Sequence, residues 1–479
     1  MTNKVANATK WSVLAEVTAK IAAPIVNMIL ARLLAPEAYG VVASITIITS
    51  FADIFTDAGF QKYVIQKEYN SIDELNDNSN VAFTANLSLS SIIFLLICVF
   101  RKQLANAVGN PEAADGLAVA ALAVLCTSYS SIVIARFRRS LEFKPLFYVR
   151  LGSSLVPLIV TVPLAFALKS YWALVIGTVA QQAFIATAVC VLSKYKPRIL
   201  VDFTIFKKML SFSIWNLCET LSIWFAGQAN IFIVARVLDS YYLGLYRTGM
   251  TTINSYMALF TSAITPVLFS SLSRVQDNAK EYMDTFNKFQ KILALAVVPM
   301  GVGIFLYRKL AVQILLGNAW LEVTNFMGLW ALVSSPTIIF SYMASEVYRS
   351  KGKPQVSFYI QVAYLLVYVP AIYISAKEGF DTLSVVSCLI RLLPIVIDIT
   401  VLDRVFKVKF VDVAKNVGYT FFAAFCMSFV AIALNGPTGG ILKQIITILI
   451  CIAVYSLVIV LNRNNRAALT SFFQGREKR

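Results

Sequence analysis

Long apolar runs, separated by short polar or basic stretches, dominate the pattern of the sequence. Each of fourteen runs is about as long as the ~20 residues that a helix needs to cross a bilayer. Polar positions inside several runs recur at helical spacing, which is typical of helices with one wet face. The pattern predicts an all-α polytopic membrane protein with about fourteen spans, near residues 11–34, 38–60, 79–100, 116–136, 146–168, 171–193, 209–236, 242–272, 289–307, 324–347, 355–376, 380–402, 413–434 and 440–462.

A twelve-residue pattern occurs twice in the chain. It reads ILARLLAPEAYG at 29–40 and IVARVLDSYYLG at 233–244, an offset of 204 residues. Two further echoes keep nearly the same spacing, a Gly-Asn pair at 109–110 and 317–318 and a basic turn at 138–145 and 348–354. Repetition at a fixed period marks a duplicated architecture. We therefore expect two copies of one unit, each about 205–210 residues long.

The repeat predicts the domain boundaries. An N-terminal six-helix bundle is expected at 1–193, a basic connector at 194–208 and a second six-helix bundle at 209–402. Residues 403–479 then hold two additional helices and a tail. Because six is an even number, both bundles enter the membrane in the same direction, which predicts a pseudo-two-fold axis along the membrane normal and a site near the midplane.

Composition excludes several classes of protein. With 58% hydrophobic and 14% charged residues and a mean hydropathy of +0.72, the chain is far from a soluble domain. It has no histidine, and its seven cysteines fall in apolar runs without paired spacing, so neither disulfides nor a metal site is expected. We attribute the net charge of +17 to the positive loops of a membrane protein rather than to nucleic-acid binding.

The distribution of Lys and Arg predicts the orientation. If the N-terminus is cytoplasmic, most basic residues fall in cytoplasmic segments, including 136–144, 194–208, 349–353 and 404–415. This agrees with the positive-inside rule. Fourteen spans then place the C-terminus in the cytoplasm as well.

Five stretches carry a resemblance to a known family: ARLLAPEAYG at 31–40, FTDAGFQKYVIQK at 55–67, YWALVIG at 171–177, LGLYRTGMTTINSYMALFTSAITPVLFSSLSRVQDN at 243–278 and LLGNAW at 315–320. Through them the chain resembles the polysaccharide-transporter branch of the multidrug/oligosaccharidyl-lipid/polysaccharide exporter superfamily, and within it the WzxC-like lipopolysaccharide and exopolysaccharide flippases. The resemblance implies two six-helix bundles plus two helices in the cell (inner) membrane. It also implies a flippase that moves undecaprenyl-diphosphate-linked oligosaccharide to the outer leaflet, alongside polymerase and glycosyltransferases of the same pathway.

Ionisable residues inside the spans are the candidate functional groups, because burying a charge in a bilayer costs several kcal/mol. Lys20, Arg247 and Arg391 are the deepest cations, and each lies on a polar stripe of its helix. Since a cation suits the diphosphate of such a cargo, we expect these three to bind it in a central cavity. Asn216 and Asn254 are expected to bind its sugars. Lys20 could instead neutralise Glu16.

Four carboxylates, Glu16, Asp53, Asp57 and Glu219, could bind a proton or Na⁺ for energy coupling. Neither an organic cofactor nor a bound metal is expected. A structural interpretation is favoured for other cations: Arg32 and Arg236 recur at repeat-equivalent helix ends as interface anchors, and Arg150 can snorkel to the cytoplasmic surface.

Two other functions compete with a flippase. A MATE-type multidrug antiporter would share the fold, but an acidic cavity is expected for cationic drugs, whereas the polar stripes here mix both charges. A membrane polymerase or glycosyltransferase would need large outer loops with catalytic residues, and the outer loops predicted here are short. The chain is therefore not expected to be an enzyme.

Overall fold

The computed structural model describes residues 22–57, 59–406 and 410–462, together with Trp11, Thr18 and Lys20. Every regular element in these ranges is helical. The first part of the chain contains α1 (Ala22–Leu33), α2 (Pro36–Asp57), α3 (Phe60–Gln66), α4 (Ile72–Val99), α5 (Arg101–Ala107), α6 (Ala114–Ala120), α7 (Leu122–Arg139), α8 (Phe143–Val156), α9 (Val162–Leu168), α10 (Trp172–Leu192) and α11 (Phe203–Val237).

Ten helices follow: α12 (Ser240–Arg274), α13 (Ala279–Leu306), α14 (Arg308–Leu315), α15 (Thr324–Pro336), α16 (Met343–Ser350), α17 (Pro354–Lys377), α18 (Phe380–Ile390), α19 (Leu393–Phe406), α20 (Phe410–Ala433) and α21 (Ile441–Leu461). Thirteen helical segments of the described chain are long and apolar enough to cross a membrane. α1 is a shorter apolar helix, and the N-terminal part of its predicted span lies outside the described residues. The predicted all-α polytopic fold is confirmed.

Two membrane helices change pitch next to a proline. A π-helical turn, Pro157–Thr161, lies between α8 and α9, and a second, Thr337–Tyr342, follows Pro336 between α15 and α16. Proline lacks a backbone N–H and crowds the carbonyl four residues earlier, so a wider turn accommodates it within a continuous helix.

The repeat is visible in the capping of helices. α4 and α13 are each 28 residues long. In α4, the Ser71 hydroxyl accepts a hydrogen bond from the Glu74 amide over 3.1 Å. In α13, the Asn278 side chain accepts one from the Glu281 amide over 3.3 Å. Both are N-caps that satisfy a backbone donor left over at the helix start, and they lie 207 residues apart.

An arginine after each of these helices repeats a second arrangement. Arg101 donates from Nη1 to a carbonyl three residues earlier over 3.1 Å, and Arg308 does the same over 3.2 Å. Their Nε atoms each donate over 3.2 Å, to Asp115 Oδ1 and to Asn325 Oδ1 respectively. The two copies therefore keep the geometry while exchanging a charged acceptor for a neutral one.

Three positions with a positive φ also recur in the two copies, and in two of the three pairs the residue types differ. The pairs are Gly109 (φ 75°) with Gly317 (φ 101°), Leu141 (φ 58°) with Gly352 (φ 69°), and Lys169 (φ 48°) with Gly379 (φ 109°). Glycine adopts this backbone region without the steric strain that a Cβ brings. The first copy reaches a positive φ with Leu141 and Lys169 in place of glycine, although Lys169 (ψ 34°) and Gly379 (ψ 174°) differ in ψ.

The twelve-residue pattern forms a close, reciprocal contact between the starts of α2 and α12. A Cβ placed on Gly40 would lie 1.7 Å from the Ser240 carbonyl oxygen, and one on Gly244 would lie 1.9 Å from the Pro36 carbonyl oxygen. Adding 204 to the numbers of one contact gives the partners of the other. Small residues let helix backbones approach in a membrane, where van der Waals packing drives association.

Helix packing divides the chain into two compact units, Met1–Arg247 and Thr248–Arg479. The division falls inside α12, whose first two turns group with α2. The boundaries predicted from the repeat, with a connector at 194–208, are a division by duplication and stay a prediction.

Each unit has its own apolar core. In the first, Val41 and Ile45 of α2 pack with Leu117 and Val175. In the second, the additional helices α20 and α21 pack against α13 in a cluster that includes Val298, Ala424 and Tyr455. The two helices after the repeat are thus part of the second unit.

Replacing Gly40 by Ala should destabilise the protein, because the new methyl group would overlap the Ser240 carbonyl. Overpacking of this kind typically costs about 1–3 kcal/mol. Gly227 in α11 is the matched control, since a Cβ there meets no atom within 4 Å. Gly227→Ala should be neutral or stabilising, because Ala favours helices by up to about 1 kcal/mol. The measurement is the thermal midpoint of each purified variant, and equal midpoints would contradict the close contact.

Candidate functional site

Arg391 lies in a turn between α18 and α19, where sequence predicted the middle of one span. α18 ends at Ile390 and α19 begins at Leu393. The guanidinium carbon lies 3.9 Å from the centroid of the Trp330 ring. Its Nη1 donates a hydrogen bond to the Ser334 hydroxyl over 3.0 Å. An aromatic face stabilises a cation, and more strongly when water is excluded.

Trp330 also forms a hydrogen bond with Asn254, a second residue predicted to bind the cargo. Its indole Nε1 donates to Asn254 Oδ1 over 3.1 Å. The Trp330 side chain is 3% exposed, Asn254 is exposed and Arg391 is half-buried. We call Asn254, Trp330, Ser334 and Arg391 the Trp330 cluster. It joins two predicted binding residues, 137 positions apart in sequence, through an aromatic ring that sequence reasoning did not single out.

The chemistry of the Trp330 cluster suits an anionic or sugar-bearing ligand. It combines a planar cation, an amide and a hydroxyl in one place. A guanidinium offers five N–H donors in its plane, while stacking engages the face of that plane. Trp330 and Ser334 are one helical turn apart on α15, and this spacing is the sequence signal that could have pointed to them.

Arg247 has a different environment, in the first compact unit. It is half-buried, and its Nη1 donates to the Ala43 carbonyl oxygen over 2.9 Å. Ala43 is the residue that stands at the repeat-equivalent position of Arg247, 204 residues earlier. The bond therefore fastens α12 to α2 three residues beyond the contact of Gly40 and Gly244.

The anchor predicted at a helix end is also seen. Arg236 is exposed, and its Nη1 donates to the Asn106 carbonyl oxygen over 2.8 Å. Close by, the Asn110 amide donates to the Ser240 hydroxyl over 2.8 Å. These bonds attach the end of α11 to the last turn of α5, and the start of α12 to the turn that follows α5.

Other predicted residues are placed less fully. Lys20 and Asp53 are half-buried, and Asp53 lies on α2. Asp57 ends α2, but its side chain falls outside the described part of the chain. The same holds for the side chains of Asn216 and Glu219 on α11. Glu16 lies outside the described residues.

One buried carboxylate was absent from the predicted coupling set. Asp398 on α19 is 3% exposed. It accepts hydrogen bonds from the hydroxyls of Ser341 and Tyr348. It lies seven residues after Arg391, and the sequence analysis gave it no role. Within the described ranges, no group of three or more Cys, Asp or Glu residues is placed to hold a metal ion.

Comparison with known proteins identifies the family. A family model described as "Polysaccharide biosynthesis protein" matches residues 29–325, more than half of the chain. The chain belongs to this family. The predicted resemblance to polysaccharide transporters is thereby confirmed.

Three curated proteins similar to this chain are named as a membrane protein, a transport protein and a lipopolysaccharide biosynthesis protein. An uncharacterized membrane protein in the cps region of Klebsiella pneumoniae is 23% identical, with 78% of this chain and 76% of the relative covered. The succinoglycan biosynthesis transport protein ExoT of Rhizobium meliloti is 22% identical over 67% and 64%. The lipopolysaccharide biosynthesis protein WzxC of Escherichia coli is 20% identical over 78% and 75%.

Solved structures support the same fold. The lipid II flippase MurJ in an inward closed conformation aligns with a TM-score of 0.73 and 14% identity, covering 98% of this chain and 100% of MurJ. An inward-facing MATE multidrug transporter aligns with a TM-score of 0.53 and 14% identity, covering 80% and 92%. At these identities the likeness concerns the fold alone, and it agrees with the predicted all-α membrane architecture.

Substitutions at Trp330 should separate its two contacts. Trp330→Phe keeps an aromatic face for Arg391 but loses the bond to Asn254, about 1 kcal/mol for a neutral hydrogen bond. Trp330→Leu loses both and should lower the thermal midpoint further. The Trp224 indole donates a hydrogen bond of similar length, 3.0 Å, to the Ser50 hydroxyl. Its ring packs against the rings of Phe51 and Phe225. Trp224→Phe and Trp224→Leu are therefore controls, and an equal Phe-to-Leu difference at both sites would contradict a cation–aromatic contribution.

Proposed function

We propose that the protein is a flippase that moves an undecaprenyl-diphosphate-linked oligosaccharide from the cytoplasmic to the outer leaflet for lipopolysaccharide or exopolysaccharide synthesis. The observation that carries the proposal is membership of the polysaccharide biosynthesis family over residues 29–325, in a chain with thirteen described segments able to span a membrane. The named role of ExoT, transport in succinoglycan biosynthesis, is a role of the same class.

The charge of such a cargo explains why cations are kept inside the membrane. A diphosphate cannot enter hydrocarbon without compensation, and guanidinium groups bind phosphate oxygens in a bidentate manner. Lys20, Arg247 and Arg391 are proposed to bind the diphosphate. Asn216 and Asn254 are proposed to bind sugar hydroxyls. The position of Arg391 in the Trp330 cluster supports this role, because the cation and the exposed amide of Asn254 contact the same Trp330 side chain.

The MATE-type antiporter remains the second candidate, with less support. The MATE structure covers a smaller share of the chain than MurJ does, and its TM-score is lower, 0.53 against 0.73. The family and the named transport relatives also favour a transporter over an enzyme.

Location and partners follow from the proposed function. A multi-pass protein of this kind is proposed to lie in the cell (inner) membrane, with both termini in the cytoplasm. Its partners are the lipid-linked oligosaccharide, membrane lipids, and the polymerase and glycosyltransferases of the same pathway.

Energy coupling is proposed to use a proton or Na⁺. The candidates from sequence are Glu16, Asp53, Asp57 and Glu219, of which Asp53 is half-buried on a membrane-spanning helix. Carboxylates in such positions bind cations through charge and dehydration together.

Arg391→Ala should reduce surface polysaccharide about ten- to hundredfold in a deletion strain, since a hydrogen bond to a charged group contributes about 1.5–3 kcal/mol. Arg391→Lys should restore part of the export, because it keeps the charge but loses the planar fork. Arg150 is exposed on α8, so Arg150→Gln is the matched control and should export normally. Membrane levels of each variant are compared by immunoblot. A normal amount of surface polysaccharide from a well-expressed Arg391→Ala protein would contradict a role of Arg391 in binding the cargo.

Cysteine labelling tests the orientation. In a background without the seven native cysteines, Glu112→Cys and Asn435→Cys should react with an impermeant thiol reagent in intact cells. Lys196→Cys and Lys353→Cys should react only after the membrane is opened. All four positions are exposed, so differences in reaction report sidedness rather than burial. The opposite pattern would reverse the proposed direction of transport.

A further inference from the structure

Asp398 is a carboxylate held inside a membrane-spanning segment, Phe380–Arg404. Only 3% of its surface is exposed. A charged carboxylate in such a place loses its hydration, which costs several kcal/mol unless the protein supplies compensation. The groups that contact the carboxyl therefore indicate whether the site stabilises its ionised or its protonated form.

The partners of Asp398 are neutral. Tyr348 donates from its hydroxyl to Oδ1 over 2.8 Å, and Ser341 forms a hydrogen bond with Oδ2. These two hydroxyls are the side chains that interact with the carboxyl group in the described part of the chain. A hydroxyl can donate or accept. The same pair can consequently satisfy both an ionised and a protonated Asp398.

Glu346 shows what a compensated carboxylate looks like in the same unit. It is 2% exposed, and its Oε1 lies 3.1 Å from Arg349 Nη1. The arginine side chain is 55% exposed, so this ion pair reaches water. Glu346 can remain ionised beside its partner, whereas Asp398 lies among uncharged groups.

Several titratable groups lie on elements packed against α19 or joined to it. They are Asp381, Cys388 and Arg391 before the helix, Asp403 and Arg404 on it, Tyr342, Glu346, Tyr348 and Arg349 around α16, Tyr359, Tyr364, Tyr368, Tyr373 and Lys377 on α17, and Lys415, Tyr419 and Cys426 on α20. Of these described groups, Tyr348 alone interacts with the Asp398 carboxyl group. The charge state of Asp398 is therefore set by burial and two hydroxyls rather than by a neighbouring charge.

The two hydroxyls come from an irregular part of the fold. Ser341 belongs to the π-helical turn Thr337–Tyr342, which follows Pro336, and Tyr348 lies on the next helix, α16. Turns of this type are frequent at functional sites. Asp398 thus connects α19 to a segment whose helical hydrogen bonding is already interrupted, where a change of charge can shift the packing at low cost.

We infer that Asp398 is a proton-binding site of the transport cycle. The carboxylate takes up one proton and is a neutral acid while Ser341 and Tyr348 enclose it. It releases that proton when the π-helical turn and α19 separate enough to admit water. No covalent bond other than this O–H bond forms or breaks. The role in transport rests on the proposed flippase function, but binding of the proton does not.

Infrared spectroscopy of the purified protein tests the proton directly. The difference spectrum between wild type and Asp398→Asn should show the carbonyl band of a protonated carboxylic acid at mildly acidic pH, and the band should disappear reversibly at alkaline pH. Glu346→Gln should retain the band, because Glu346 has an ionic partner. Tyr348→Phe should shift the pH at which it disappears. Size-exclusion elution confirms that each variant is folded.

Two spectral outcomes would overturn the inference. If wild type and Asp398→Asn have the same carboxylic acid band even at mildly acidic pH, the group stays ionised and binds no proton. If the band persists unchanged at every pH, the proton is a fixed structural feature.

Export is measured separately in a deletion strain. A well-expressed Asp398→Asn protein should lose surface polysaccharide at least tenfold, and normal export would overturn its role in the cycle while leaving the flippase function intact. If wild type itself did not restore polysaccharide, the proposed function would fail, and the spectra would still decide whether Asp398 binds a proton.

Discussion

Helix backbones can approach closely inside a bilayer only where a side chain does not separate them, and the starts of α2 and α12 meet this condition twice. Gly40 faces the backbone of Ser240, and Gly244 faces the backbone of Pro36. In lipid there is little hydrophobic gain from joining apolar helices, so association depends on such packing. Because the two contacts are related by the repeat offset, one sequence pattern provides both sides of the interface. The pattern is preserved for this reason, while most of the repeat has diverged.

The asymmetry at Arg247 follows from the same contact. Positions equivalent under the repeat meet near this crossing, so Arg247 lies opposite Ala43 and bonds to its carbonyl oxygen. Arginine in both copies would place two like charges where backbones are close, and a low dielectric would magnify their repulsion. A large cation here requires a small residue opposite. The difference between Arg247 and Ala43 at equivalent positions is thus a steric and electrostatic requirement. A guanidinium has five N–H donors, so Arg247 can make this bond and still offer donors to a ligand.

Hydropathy predicts the membrane helices because each must supply about 20 apolar residues whatever it packs against. The repeat could be read where backbone contact restricts the residue, as at Gly40 and Gly244, but not where only a positive φ is shared, as at Lys169 and Gly379. The Trp330 cluster could be predicted only in part. Polar spacing marks one face of a single helix, whereas Trp330 joins residues of different helices, and no periodicity encodes such a pair.

Three ionisable groups of the second unit show three ways of holding charge in a membrane. Glu346 has an ionic partner, Arg391 lies on an aromatic face and Asp398 has two hydroxyls. An ion pair fixes the charge of both members, since removing one leaves the other uncompensated. An aromatic face stabilises a cation without neutralising it, so Arg391 keeps its attraction for an anion. Hydroxyls stabilise both forms of a carboxyl group. The surroundings of Arg391 are therefore consistent with cargo binding, and those of Asp398 with proton exchange. Glu346, with its ionic partner, is suited to a structural role.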